Sequence, residues 1–238
     1  MRKLALLLVL PMTSFATDKE TQKLWSSHIE LSYVRTDGNT RTQTLSEKLE
    51  LKRDGKVNRF FLKNSALYAT QDDKETANKL DLNGRWERLM TERAFGFLTA
   101  GYERDKFSGY EYKWNAGPGF GYDLLKTHTH ELKGLLSTLY YYNRIKEDGI
   151  DNYATLKAEL YYRWNILENL RFKEDLNYIL NLSDRDTYFI NSDTSLEVKI
   201  NKYLSLGVGY KVAYQNKPPS PGVKRTDTTF STSLIIDF

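Results

Sequence analysis

The chain has 238 residues, no cysteine, and a formal charge of +4 from 35 Lys+Arg against 31 Asp+Glu. Mean hydropathy is −0.60, and past the N-terminus no run nears the ~18 apolar residues of a spanning helix, which excludes a helical membrane bundle. Without thiols there is no disulfide framework, thiolate metal site or Cys nucleophile; the scattered basic charges form no stripe of the kind nucleic acid needs, so no nucleic-acid partner is expected.

Residues 1–16 read as an address. Arg2 and Lys3 form a positive start, Leu4 to Leu10 an apolar core broken by Pro11, and Ser14 and Ala16 supply small residues for cleavage after Ala16. This is the pattern of a bacterial secretory signal peptide. The expected organisation is therefore a cleaved segment 1–16 and a mature domain 17–238. Removing Arg2 and Lys3 lowers the formal charge to +2, so basicity says little about partners.

The mature domain alternates with period two, not 3.6. In 110–125, Tyr110, Tyr112, Trp114, Ala116, Phe120, Tyr122 and Leu124 oppose Glu111, Lys113, Asn115, Gly117, Gly119, Gly121 and Asp123. Segments 77–89, 152–166, 187–201, 202–216 and 224–238 behave alike. Segments 40–53, 93–107 and 129–144 alternate less cleanly, and Glu47 and Glu174 fall on otherwise apolar faces. Eleven turn signals, from Asp37-Gly38-Asn39 to 216–224, separate twelve strands. A spacing of about 18 residues fits a membrane-crossing strand with its extensions and a turn. Alternate connections are tight, while the others include the longer ones, among them PPSPG at 218–222. That is the pattern of short periplasmic turns and longer outer loops.

A soluble barrel hides its apolar face and a membrane barrel exposes it, and parity alone does not separate them. The strands are long, Trp86, Trp114 and Trp164 share the apolar face, and Tyr gathers near strand ends, as in interfacial girdles. Phe230, Leu234, Ile236 and Phe238 share one parity at the end of the sequence. They resemble the signal read by the outer-membrane assembly machinery. The fold expected is all-β: a closed antiparallel up-and-down transmembrane β-barrel of about twelve strands. In lipid every backbone group must pair internally, so 224–238 should pair with 25–36. Location in the Gram-negative outer membrane follows, with its lipid and assembly machinery as partners.

GNT at 38–40, GYERDKFSGY at 101–110 and GPGFGYDLL at 117–125 resemble the salt-induced outer-membrane protein family, domain of unknown function 481, YdiY-like. The resemblance spans roughly 25–238. It implies an outer-membrane barrel and a link to salt or envelope stress, and it carries no catalytic residues.

Chemistry-bearing motifs are few. His128-Thr129-His130-Glu131 lies in a turn without a third ligand or supporting groups for a metal. His28 stands near Ser26, Ser27 and Glu30, residue types an outer-membrane lipid-modifying enzyme would need. No phosphate loop or EF-hand loop appears, so no catalytic, metal or cofactor site is assigned. The polar face offers lumen-lining candidates: Arg85, Glu87, Glu111, Lys113, Asp123, Lys157, Glu159, Arg163, Arg171, Lys173 and Asp175. Buried charges need partners, so these are expected to pair across strands and to plug the lumen or line a narrow passage. Their mixed signs argue against strong selectivity. Gly117, Gly119 and Gly121 around Pro118 suggest a bulge with a neighbouring Tyr or Arg lying over them. A non-enzymatic barrel, structural and stress-related or a passive pore for small solutes, is the leading reading; a lipid-modifying enzyme is the alternative.

Overall fold

The computed structural model describes residues 24–36, 41–146, 149–217 and 224–237. The segment 1–16, the GNT motif, the PPSPG loop and Phe238 lie outside the described residues. Twelve strands follow in chain order: β1 (Trp25–Thr36), β2 (Thr42–Asp54), β3 (Asn58–Gln71), β4 (Lys74–Leu89), β5 (Ala94–Asp105), β6 (Tyr110–Lys126), β7 (His130–Ile145), β8 (Ile150–Leu167), β9 (Leu170–Asn181), β10 (Tyr188–Lys199), β11 (Leu204–Gln215) and β12 (Thr226–Asp237). Each pairs antiparallel with its chain neighbours, and β1 pairs with β12 to close a barrel. The period-two pattern and the turn signals between runs produce this order, because each tight connection can only return the chain beside itself.

The outward face is the apolar one. Leu62, Leu98, Phe120, Leu136, Leu160 and Leu206 are exposed, whereas Glu87, Asp123 and Glu197 are buried inside. This inverts a soluble barrel and identifies a transmembrane barrel. Rings collect on the outward face near both mouths. At the mouth carrying the chain ends, His130 stacks on Trp164 with centroids 5.6 Å apart and Tyr162 meets Phe172 edge-on. At the other, Tyr188 lies 5.7 Å from Tyr178 and 6.1 Å from Tyr214, and Tyr102 lies 4.7 Å from Trp114. Amphipathic rings suit those two boundaries.

Connections at the terminal mouth are short: 55–57, 90–93, 127–129, 168–169 and 200–203. The opposite mouth carries the longer 182–187 and 216–225. There Lys217 Nζ stands 2.7 Å from Asp184 Oδ2 and ties those two loops together.

The glycine-rich stretch of β6 differs from the sequence expectation. The β6–β7 ladder skips Gly117 and Pro118 but resumes in the same register, Ala116 opposite Tyr140 and Gly119 opposite Ser137. There is no bulge at Pro118; the irregularities of β6 lie between Tyr110 and Tyr112 and between Asp123 and Leu125. The rings over the glycines are neither Tyr nor Arg. Phe97 occupies the place where a Gly119 side chain would stand, and Phe95 the place at Gly121. Both phenylalanines point inward from β5, directly opposite those glycines. With Leu135 they form the buried apolar cluster, against which Leu89 and Tyr161 pack.

One seam is short. Among the described residues the β1–β12 ladder runs only from His28 opposite Asp237 to Leu31 opposite Leu234. Every other seam pairs at least ten residues.

Candidate functional site: the barrel lumen

Alternation sends one side chain in two inward, so the lumen is assembled from cross-strand neighbours. On β3 and β4, Arg59 lies directly opposite Glu87. Arg59 Nη2 is 2.6 Å from Glu87 Oε2, and Arg85 Nε is 2.9 Å from Glu87 Oε1. Glu87 is fully buried. The two guanidinium groups also lie on rings: Arg59 is 4.7 Å from the Phe95 centroid and Arg85 is 4.8 Å from that of Phe61. Such stacking supplies the face of a desolvated cation with an attractive partner.

Further ion pairs line the wall. Lys157 stands 2.8 Å from Glu159, Lys113 is 3.3 Å from Glu103, and Lys133 is 3.8 Å from Asp123. Lys63 of β3 stands 2.7 Å from Glu50 of β2. Lys48 of β2 lies 3.4 Å from Glu30 of β1 and 3.6 Å from Asp193 of β10, reaching past β1, β12 and β11 inside the lumen.

Two cavities of about 410 Å³ each occupy the interior. The first extends from mid-barrel toward the loop mouth, lined among others by Asn83, Asn115, Asp193 and Lys211. The second opens toward the terminal mouth, lined among others by His28, Lys126, Arg163 and Asp237. Phe61, Lys63, Arg85 and Tyr161 belong to the walls of both. Lys63 Nζ of β3 lies 5.9 Å from the ring of Tyr161 on β8, so these side chains meet across the lumen. Tyr161 is held by its packing on the Phe95 cluster and by donating to Glu159 Oε1 at 2.8 Å. These side chains therefore form a waist between two wider chambers.

The residues expected to line the lumen distribute unevenly. Arg85, Lys157, Glu159 and Asp175 line the first cavity. Asp123, Arg163, Arg171 and Lys173 line the second, with Arg85 again. Glu87 is sealed behind its two arginines, and Lys113 pairs with Glu103. Glu111 departs from the expectation. It is exposed at the loop end of β6, beside the irregularity between Tyr110 and Tyr112, and lines neither cavity. Phe230, Leu234 and Ile236 lie on β12, with Phe230 exposed on the outward face.

Arg59, Glu50, Glu103 and Lys133 also belong to the lumen network; the last three stand on segments that alternate less cleanly in sequence, and Arg59 joins from β3. Their signal is cross-strand registry: once Glu87 is placed inward, its partner Arg59 must be inward too.

The histidines are otherwise engaged. His28 Nδ1 is 2.6 Å from Asp237 Oδ1 and its Nε2 is 3.0 Å from Glu30 Oε1, so both nitrogens face carboxylates and not the hydroxyls of Ser26 or Ser27. His28, Glu30 and Glu197 bring potential ligand atoms within 4.8 Å. Their carboxylates, however, are matched by Lys48, Lys173 and Arg171. His130 faces outward, stacked on Tyr162 and Trp164 with Nδ1 2.8 Å from Tyr162 Oη, and forms no metal cluster with His128 among the described residues.

Known proteins share this architecture. The COG4313 outer-membrane channel of Pseudomonas putida F1 superposes with a TM-score of 0.54 at 9% identity, over 92% of this chain and 99% of that one. The NanC porin gives 0.52 at 10%, over 89% and 97%. The translocator domain of the autotransporter NalP from Neisseria meningitidis gives 0.52 at 9%, over 90% and 87%. At such identities the likeness is one of fold. The uncharacterized protein YdiY of Escherichia coli K12 is 22% identical over 213 residues, 90% of this chain and 83% of its own length. Residues 29–238 match the family described as "Protein of unknown function, DUF481", and the chain belongs to that family.

Proposed function

We propose that this chain is a non-enzymatic outer-membrane barrel of a Gram-negative cell, delivered by its 1–16 signal segment, that acts as a narrow passive pore for small solutes. The observation that carries the reading is the pair of cavities of about 410 Å³ meeting at Phe61, Lys63, Arg85 and Tyr161. Twelve strands lie between the filled eight-stranded barrels and the open sixteen-stranded channels. The waist side chains come from facing walls and are held by stacking and hydrogen bonds. They set a fixed bore suited to small polar molecules. The short turns and the chain ends mark the periplasmic mouth.

The test is solute efflux from liposomes containing the folded protein. Small sugars and amino acids should leave faster than from protein-free liposomes, and larger oligosaccharides should not. Equal retention of every solute would contradict the pore. It would favour a second reading, a closed structural barrel of the stressed envelope, for which the buried Phe95–Phe97–Leu135 cluster speaks.

A further inference from the structure

Charge is not spread evenly along the lumen. The cavity toward the loop mouth has four basic and three acidic side chains in its wall. The cavity toward the terminal mouth has nine basic against four acidic. Several of the nine are matched: Arg59 and Arg85 share Glu87, Lys63 has Glu50, Lys133 has Asp123 and Lys52 has Asp54. The imbalance concentrates on β8 and β9. Arg163 stands directly opposite Lys173, and Arg171 follows two residues away on the same inward face. Like charges directly opposite on a ladder repel. Within ion-pair distance these three cations have one carboxylate among the described residues, Glu197, which meets Lys173 and lies 3.8 Å from Arg171; Asp237 and Glu50 act on Lys173, and Asp175 on Arg163, only from farther off. Among the described residues no carboxylate lies within ion-pair distance of Arg163. Glu131, directly opposite Arg163 on β7, remains outside that range. Lys126, opposite Glu131 on the other side, has no ion pair among the described residues either.

We propose that Arg163, Lys173, Arg171 and Lys126 form an anion-binding vestibule at the terminal mouth, which takes small, multiply charged oxyanions and makes the pore prefer anions to cations. The chemistry is that of guanidinium and ammonium donors converging on phosphate, sulfate or polycarboxylate oxygens in a confined space. A charged, low-dielectric vestibule concentrates counter-ions and steers them inward. The bound anion supplies the negative charge that the Arg163–Lys173 juxtaposition lacks. This assignment builds on the pore reading for its selectivity and stands apart from it for binding.

The experiment uses the folded barrel and inorganic tripolyphosphate as the probe. Calorimetric titration in detergent micelles measures binding without requiring an open pore. Wild type should bind, and the Arg163→Gln/Lys173→Gln double variant should bind roughly tenfold or more weakly. Lys202→Gln, an exposed charge in a turn of the same mouth, should bind as wild type does. Heat-dependent gel mobility checks that each variant is folded. In planar bilayers under a salt gradient, the wild-type reversal potential should have the sign of anion preference and shrink in the double variant. Tripolyphosphate should block from the terminal side more than from the loop side. Equal binding by wild type and double variant overturns the vestibule whatever the conductance. Binding that depends on Arg163 and Lys173 in a barrel that does not conduct overturns the pore and leaves the site standing.

Discussion

His28 Nδ1 stands 2.6 Å from Asp237 Oδ1, joining the first strand to the last at the foot of the barrel's closing seam. The ladder beside it continues only to Leu31 and Leu234. A membrane crossing takes about 9–11 strand residues, so among the described residues this seam holds by fewer backbone pairs than any other and leans on side chains. Lys48, reaching from β2 to Glu30 and Asp193, braces it from inside.

Hydrogen exchange should therefore find the amides of Ser32 to Val34 and Thr228 to Ser231 among the least protected strand amides, because opening free energy is lowest where pairing ends. His28→Ala should destabilise the barrel by about 1 kcal/mol, less than the usual charged hydrogen bond because Asp237 is half-exposed and solvent screens the pair. Uniform protection across all twelve strands, with no change in His28→Ala, would contradict a weak seam.

Glu87 is the linchpin of the waist wall. Replacing it with Gln leaves Arg59 and Arg85, both largely but not fully buried, without their counter-charge. Removing one partner of a buried ion network costs about 3–5 kcal/mol, so Glu87→Gln should lower urea stability sharply or abolish refolding. Wild-type stability of the variant would show that water, not Glu87, satisfies the arginines.

The Phe97 ring fills the space over Gly119. Gly119→Val should impair refolding, since overpacking a filled site costs about 1–3 kcal/mol. Adding Phe97→Ala should restore folding in part, because it vacates the space the new side chain needs. Refolding yields of the single and double variants settle this; an unimpaired Gly119→Val would contradict the packing. Gly117→Ala should be worse and not rescued, because its obstacle is the backbone carbonyl of Thr138.

At the loop mouth, Lys217 and Thr187 hold the Asp184 carboxyl below its ordinary range, and Asp184 holds the Lys217 ammonium above its own. A depressed carboxyl contributes above its unfolded pKa of about 4 and loses that contribution as pH falls through the lower folded value. A raised ammonium contributes below about 10 and loses it as pH rises through the higher folded value. The tie between loops 182–187 and 216–225 should thus persist across the neutral range and release at both extremes. Spin-label distances between the two loops against pH measure it. Lys217→Gln should remove the pH dependence.

The strands were legible because a barrel wall imposes period two on nearly every residue, and turns of Gly, Asn and Asp punctuate it. Legibility failed where that rule is broken. β5 and β7 carry Phe95, Phe97, Leu135 and Leu139 inward, so both faces read apolar and Lys133 was not assigned to the lumen. Glu111 follows the parity of its strand only up to the irregularity beside Tyr110. Glu174 sits on the outward face because Ser192 and Thr194 of the adjoining strand donate to it at 2.6 and 2.5 Å, a solution visible only with the register known. The charge asymmetry of the terminal cavity has the same origin. Composition shows nearly balanced signs, and only the pairing of β8 with β9 brings Arg163 against Lys173.

The most direct test of the central claim is single-channel recording of the folded protein in planar bilayers, wild type beside Tyr161→Ala. A narrow pore closed down by Tyr161, Phe61, Lys63 and Arg85 predicts small discrete steps that grow when the tyrosine ring is removed. A barrel shown to be folded by its heat-dependent gel mobility, yet silent in both forms, would contradict an open lumen.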